Sequence, residues 1–117
     1  MDDDDAFRGA LADNLQDDGY RVLAFAGVHE LPPLADLSYV SAVVTDYDMP
    51  GTDGLAFADL FHGAHPSIPI IMVTAYSTPQ LEADLATRGY LSLLRKPFDY
   101  DDLQALLGQL VAGSSTS

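Results

Sequence analysis

Apolar and polar positions recur along this chain with two periods, and the switches between them divide it into elements. Phe7, Leu11 and Leu15 fall on every fourth residue, which predicts an amphipathic helix that follows the acids before it and stops at Gly19. Residues 20–26, between two glycines, read as a strand. Pro32-Pro33 then removes a donor and pushes the residue before the second ring out of the helical region, so any helix before Val40 is short. Residues 40–45 are apolar on both faces and predict a buried strand that ends at Asp46, where Pro50, Gly51 and Gly54 open a shaped loop. A helix over 55–61 ending near Gly63 and a strand over 69–74 come next. A helix over 79–88 with Pro in its first turn, a last strand over 91–95 and a helix over 100–111 with the stripe Leu103, Leu106, Leu107, Leu110 complete the order. Alternating strands and helices with buried apolar strands predict an α/β architecture, a doubly wound parallel sheet, with one domain over 1–112 and a flexible polar tail over 113–117.

Composition narrows the partners. At 117 residues with 48% hydrophobic content there is one core and not two. A net charge of -13, from 18 acids against 5 Lys and Arg, leaves no basic footprint for a phosphate backbone and argues against nucleic acid. Without cysteine there is neither a disulfide frame nor a thiolate metal site, which fits a reducing compartment. No apolar run is long enough for a signal peptide or a membrane span, so the expectation is a soluble cytoplasmic protein with no membrane partner.

Candidate chemistry collects at the strand ends. In an open α/β sheet ligands bind beyond the carboxyl ends of the strands, which is where Asp46, Thr74 and Lys96 fall. Taken singly, each has an ordinary reading: Asp46 as a turn or helix cap, Thr74 as a strand-end hydroxyl bonded to backbone, Lys96 as a solvated side chain before a turn. The run Asp2 to Asp5 either starts a helix or holds a cation, because neighbouring carboxylates ionise together only when a positive charge offsets their repulsion. A hard divalent ion with oxygen ligands would supply it.

Four motifs in order carry a family resemblance. Asp2-Asp3, the stretch Asp46-Tyr47-Asp48-Met49-Pro50-Gly51-Thr52-Asp53-Gly54, Thr74-Ala75 and Lys96-Pro97-Phe98 together resemble the receiver domain of response regulators, from Asp2 to about Val111. That resemblance implies a flavodoxin-like (βα)5 fold with strand order 2-1-3-4-5 and a phosphoacceptor domain of a two-component phosphorelay. It implies that Asp46 takes a phosphoryl group from a sensor histidine kinase or histidine phosphotransfer protein and signals to a downstream protein target by conformational change. Mg²⁺ would be held by Asp3, Asp46 and the backbone carbonyl of Asp48, with Asp2 acting through water. Lys96 and Thr74 would meet phosphoryl oxygens. Such a domain is not an enzyme toward other substrates; it catalyses only its own phosphorylation and dephosphorylation.

Two other classes share parts of the pattern. Haloacid-dehalogenase-like phosphatases use Asp-x-Asp, then Ser or Thr, Lys and a pair of acids, which Asp46-Tyr47-Asp48, Thr74, Lys96 and Asp101-Asp102 mimic, although such enzymes need more chain. The other alternative is a receiver-shaped interaction module that is never phosphorylated. The chain also departs from the family pattern. Leu93 stands where the family has a switch aromatic, and Arg88-Gly89-Tyr90 stands for Ala-Gly-Ala. Above all, only Met1 precedes Asp2, so the apolar first strand at the sheet centre has no sequence. The expectation is that the natural chain begins upstream or that the sheet is completed by a partner chain, including a homodimer, and that Mg²⁺ binds more weakly without that strand.

Overall fold

The computed structural model describes residues 1–115 except Asp3, Pro50, Gly51, Tyr76 and Ser77; for Val28, Asp48, Met49, Thr52, Asp53 and 112–115 it describes the backbone alone. Helix α1 (Asp5–Asp17) starts where the acid run ends: the Asp4 side chain caps it by accepting from the Phe7 N–H, and Asp5 sits in its first turn. Gly19, with φ at 93°, turns the chain out of the helix in a conformation that glycine adopts freely. Two short 3₁₀ turns, Val28–Glu30 and Leu34–Leu37, flank the Pro32-Pro33 pair in place of a full helix.

Three parallel strands form the main sheet: β1 (Val43–Asp46), then, further along the chain, the strand Ile70–Thr74 and the strand Leu91–Arg95. Between them β2 (Asp48–Met49) and β3 (Thr52–Asp53) make a two-residue antiparallel pair in the loop after Asp46. The later strands are therefore β4 and β5, and the sheet order is β1-β4-β5. Register is continuous, with Val43 opposite Ile70, Asp46 opposite Val73 and Thr74 opposite Arg95. The helices are α2 (Gly54–Ala64), α3 (Pro79–Ala86) and α4 (Tyr100–Ser115), the last running past the Val111 end expected from its stripe.

The central strand β4 is buried along its whole length, and its two-residue period divides the core. Ile70 and Met72 pack with Phe57, Phe61, Leu81 and Leu85 from α2 and α3. Ile71 and Val73 point the other way, toward Leu15 of α1 and Leu103 and Leu107 of α4. The sheet is thus covered on both faces, as a doubly wound fold requires.

One expected strand is absent. Residues 20–26 form no strand, although Tyr20 and Val22 pack inward while Arg21 and Leu23 are exposed, the alternation of extended chain. A strand needs a ladder partner, and between 20–26 and β1 the described residues place only Met1 and Asp2. The Met1 amine donates to Val44 O, the Asp46 N–H donates to Met1 O (2.8 Å), and the Asp2 N–H donates to Phe25 O (3.1 Å). Those bonds are one rung of a parallel ladder on the β1 side and a single tie on the other.

Candidate functional site

Asp46 is delivered to the carboxyl edge of the sheet because β1 is locked in register against β4 and ends there. It is 6% exposed, and Asp2 beside it is 5% exposed. Buried carboxylates need an opposing charge, and Lys96 provides it: its Nζ lies 3.2 Å from Asp2 Oδ2 and 3.6 Å from Asp46 Oδ2. Lys96 reaches this point because β5 runs parallel to β4 and the Lys96 N–H donates to Thr74 O at 2.8 Å, after which the Lys96-Pro97 peptide is cis. Partial burial pulls the Lys96 pKa down, but the hydrogen bond it donates to Asp2 and the charges of Asp2 and Asp46 outweigh it and leave the ammonium held above its ordinary value.

Asp2 is fixed by its surroundings. Its Oδ1 accepts from the Asp4 N–H at 2.9 Å, and its backbone carbonyl accepts from Arg8 Nη1 at 2.7 Å. The acid run therefore does both things open to it: Asp2 joins the site while Asp4 and Asp5 start α1. The neighbouring Met1 α-ammonium is buried, which lowers its pKa from 8.0 to about 6 against the raising pull of Asp2 and Asp46.

Thr74 is fully buried at the end of β4, one strand over from Asp46, and its carbonyl is the acceptor that seats Lys96. Asp48 continues the backbone into β2, two residues beyond Asp46. Asp3 lies outside the described residues. Asp2, Asp46 and Lys96 are thus brought together, with Thr74 beside them. Their oxygen-only donor set suits a hard divalent cation, and two carboxylates already share one positive charge. Among the described residues no third His, Asp or Glu side chain joins them as a metal-holding group.

Three residues matter that the pattern of motifs did not single out by role. Phe7, read as part of an apolar helix edge, lies with its ring centre 4.3 Å from Lys96 Nζ and meets Phe98 edge to face at 5.9 Å. Arg8 follows Asp2 by six residues and clamps its carbonyl. Gly54, the last residue of the loop motif, has no room for a side chain: a Cβ there would stand 2.9 Å from Asp46 O and from Tyr47 Cα. Of these only Gly54 had a visible signal, since it closes the loop motif behind Asp46.

The unusual Arg88 and Tyr90 are engaged away from the site. Arg88 Nε and Nη2 donate to the Asp59 carboxylate at 2.9 and 3.1 Å, Tyr90 OH donates to the same carboxylate, and the Tyr90 ring stacks on His62 at 3.8 Å. They tie the connection between α3 and β5 to α2. Leu93, at the position of the family's switch aromatic, lies within β5.

The family model described as the response regulator receiver domain matches residues 1–108. The chain belongs to that family. The receiver domain is 32% identical over 113 residues to the DNA-binding transcriptional regulator NtrC of Escherichia coli (strain K12), covering 96% of this chain and 24% of that protein. It therefore spans about a quarter of the length of the curated relatives it matches. Its fold superposes on a CheY-like receiver domain protein from Methanospirillum hungatei JF-1 with a TM-score of 0.88 at 23% identity, covering 98% of this chain and 92% of that one. It also superposes on a response regulator protein from Burkholderia pseudomallei, solved with a phosphorylated aspartic acid, a calcium ion and citrate. There the TM-score is 0.78 at 21% identity, covering 98% of this chain and 68% of that one. The flavodoxin-like fold expected from the motifs is that of these receivers, here with three parallel strands. No helix among the described residues is long and apolar enough to cross a membrane.

Proposed function

We propose that this receiver accepts a phosphoryl group on Asp46 from a phosphohistidine of a sensor kinase or phosphotransfer protein, and passes the signal to a protein target by conformational change. An Asp46 carboxylate oxygen attacks phosphorus, the new O–P bond forms as the N–P bond breaks, and the leaving imidazole takes up a proton. The observation that carries this reading is the convergence of two buried carboxylates on Lys96 at 3.2 and 3.6 Å, because the same cation can turn to a phosphoryl oxygen once Asp46 is modified. Thr74 supplies a hydroxyl on the adjacent strand end. Asp2, Asp3, Asp46 and the Asp48 carbonyl are the donors for Mg²⁺, which when bound neutralises charge on the transferring phosphoryl.

The response regulator protein from Burkholderia pseudomallei, of the same fold, was solved with a phosphorylated aspartic acid and with a calcium ion, which is in keeping with an aspartate acceptor in a domain of this fold. Titrating Mg²⁺ into the protein while following backbone amide NMR tests the reading. Saturable shifts centred on Asp2 and Asp46, and labelling by acetyl phosphate that stops in excess chelator, are expected. Labelling that proceeds unchanged in chelator overturns the metal's role, and a protein that neither binds Mg²⁺ nor takes up a phosphoryl group is the interaction module instead.

A further inference from the structure

The Lys96 ammonium meets acids on one side: it donates to Asp2 Oδ2 at 3.2 Å and lies 3.6 Å from Asp46 Oδ2. It also lies over the face of the Phe7 ring, 4.3 Å from its centre. An ammonium is a compact, strongly hydrated charge, and turning part of it toward carbon costs free energy unless something replaces the water. The negative face of an aromatic ring does replace it. An aliphatic side chain of similar bulk, which would fill an apolar helix edge equally well, does not.

Two separate anchors place that ring. Phe7 stands in the first turn of α1, where its N–H donates to the Asp4 carboxylate at 3.1 Å, so the cap that starts the helix also fixes the residue. Phe98 meets the Phe7 ring at 88° with the ring centres 5.9 Å apart, and Phe98 itself packs against the core cluster that holds Leu103 and Leu107. Lys96 and Phe98 are separated only by Pro97. The segment that delivers the cation therefore also braces the ring that faces it.

We infer that Phe7 is a positioning residue of the phosphoryl site: its ring holds the Lys96 ammonium while the cation passes from the Asp2 and Asp46 carboxylates to a phosphoryl oxygen. This rests on Asp46 being the phosphoryl acceptor. A hydrogen-bond acceptor in the place of the ring would keep the ammonium in one position, because its bond would have to break before the cation could move. The pull of a ring face is broader. It extends to about 6 Å from the ring centre, so from 4.3 Å the ammonium can shift by about 1–2 Å and still be held. Phe7 acts through Lys96 and carries no reacting group.

The test compares the full chain with Phe7→Leu and with a form carrying pentafluorophenylalanine at position 7, whose ring fills the same place but has lost its negative face. Lys96 is the single lysine of the chain, so its NMR signals are unambiguous. In the unaltered chain, without Mg²⁺ or phosphodonor, its ε-methylene protons should lie upfield of those of an exposed lysine because the ring current shields them, and in Phe7→Leu they should return toward that position. Phosphoryl uptake from acetyl phosphate, with acetate as the leaving group, is then timed at saturating Mg²⁺. The maximal rate should fall about threefold in Phe7→Leu and in the fluorinated form, with the half-saturating acetyl phosphate concentration unchanged. Lys96 protons that show no upfield shift overturn the inference. Uptake in the fluorinated form as fast as in the unaltered chain overturns it too, whether or not Phe7→Leu is slowed, since the ring would then matter for packing alone. An unaltered chain that takes no label overturns the acceptor role of Asp46 and this inference with it, whereas equal labelling of all three forms overturns this inference alone.

Discussion

Replacing Gly54 by Ala isolates one close contact on which the placement of Asp46 depends. Gly54 opens α2, and a Cβ there would stand 2.9 Å from Asp46 O and Tyr47 Cα and 3.0 Å from Tyr47 O. All three are backbone atoms, so no flexible side chain can swing aside. Forcing a methyl group into such a contact costs about 1–3 kcal/mol, while Ala in place of Gly in a helix returns about 0.5–1 kcal/mol. The midpoints leave a net loss of about 1 kcal/mol, and the ends of the two ranges an upper bound of about 2.5 kcal/mol. For 117 residues the unfolding entropy is about 0.25 kcal/mol/K, so Tm should fall by about 5 °C, with an upper bound of about 10 °C. Because the strain bears on the residues that carry the acceptor, phosphoryl uptake should slow as well. Gly63→Ala is the matched control: it lies in the same helix with nothing within 4 Å of its Cβ, so it should raise Tm by about 2–4 °C. Differential scanning calorimetry of the two variants decides the matter, and a Gly54→Ala protein as stable as Gly63→Ala would refute the contact.

Lys96→Ala removes the shared cation but leaves both carboxylates, so Mg²⁺ binding should persist while NMR shifts caused by phosphorylation no longer reach β5; shifts that still reach it would contradict the role given to Lys96. Phe7→Leu keeps the apolar edge of α1 but removes the ring beside the Lys96 ammonium, and unfolding in urea should show a loss of about 0.5–1 kcal/mol beyond any change in packing. Asp59 is held below the ordinary carboxylate range by hydrogen bonds from Arg88 and Tyr90, so its contribution is present above that range and is lost as pH falls through the lowered value. Arg88→Ala should move the Asp59 carboxyl titration, read by ¹³C NMR, back up toward the ordinary range, and an unmoved titration would show that the ion pair does not form in solution.

What the chain order revealed was local. Asp46 and Thr74 could be placed because each ends a run of apolar residues, and strand ends are where an α/β sheet presents its chemistry. The segment 91–95 formed the strand its pattern predicts because β4 was there to pair with it. The segment 20–26 has an apolar pattern too and formed none, since among the described residues its tie to the sheet is the single bond from Asp2 to Phe25; strand formation belongs to the pair and cannot be read from one member. Distance in sequence hid the rest. The contact of Lys96 with Asp2 spans 94 positions, and Phe7 looked like a core residue because the face it turns toward Lys96 is also apolar. Arg88 and Tyr90 departed from the family pattern visibly, yet their shared acceptor on α2 emerged only when α3 and β5 were packed against it.

The central claim is that Asp46 is the acceptor, and intact-protein mass spectrometry after exposure to acetyl phosphate with Mg²⁺ tests it most directly. A single added phosphoryl group, carried by the unaltered protein and absent from Asp46→Asn, is the result this account predicts. Asp46→Asn keeps the shape of the side chain and removes the charge, so a modification of equal extent in that variant would place the phosphoryl group on another residue and contradict the assignment of the site.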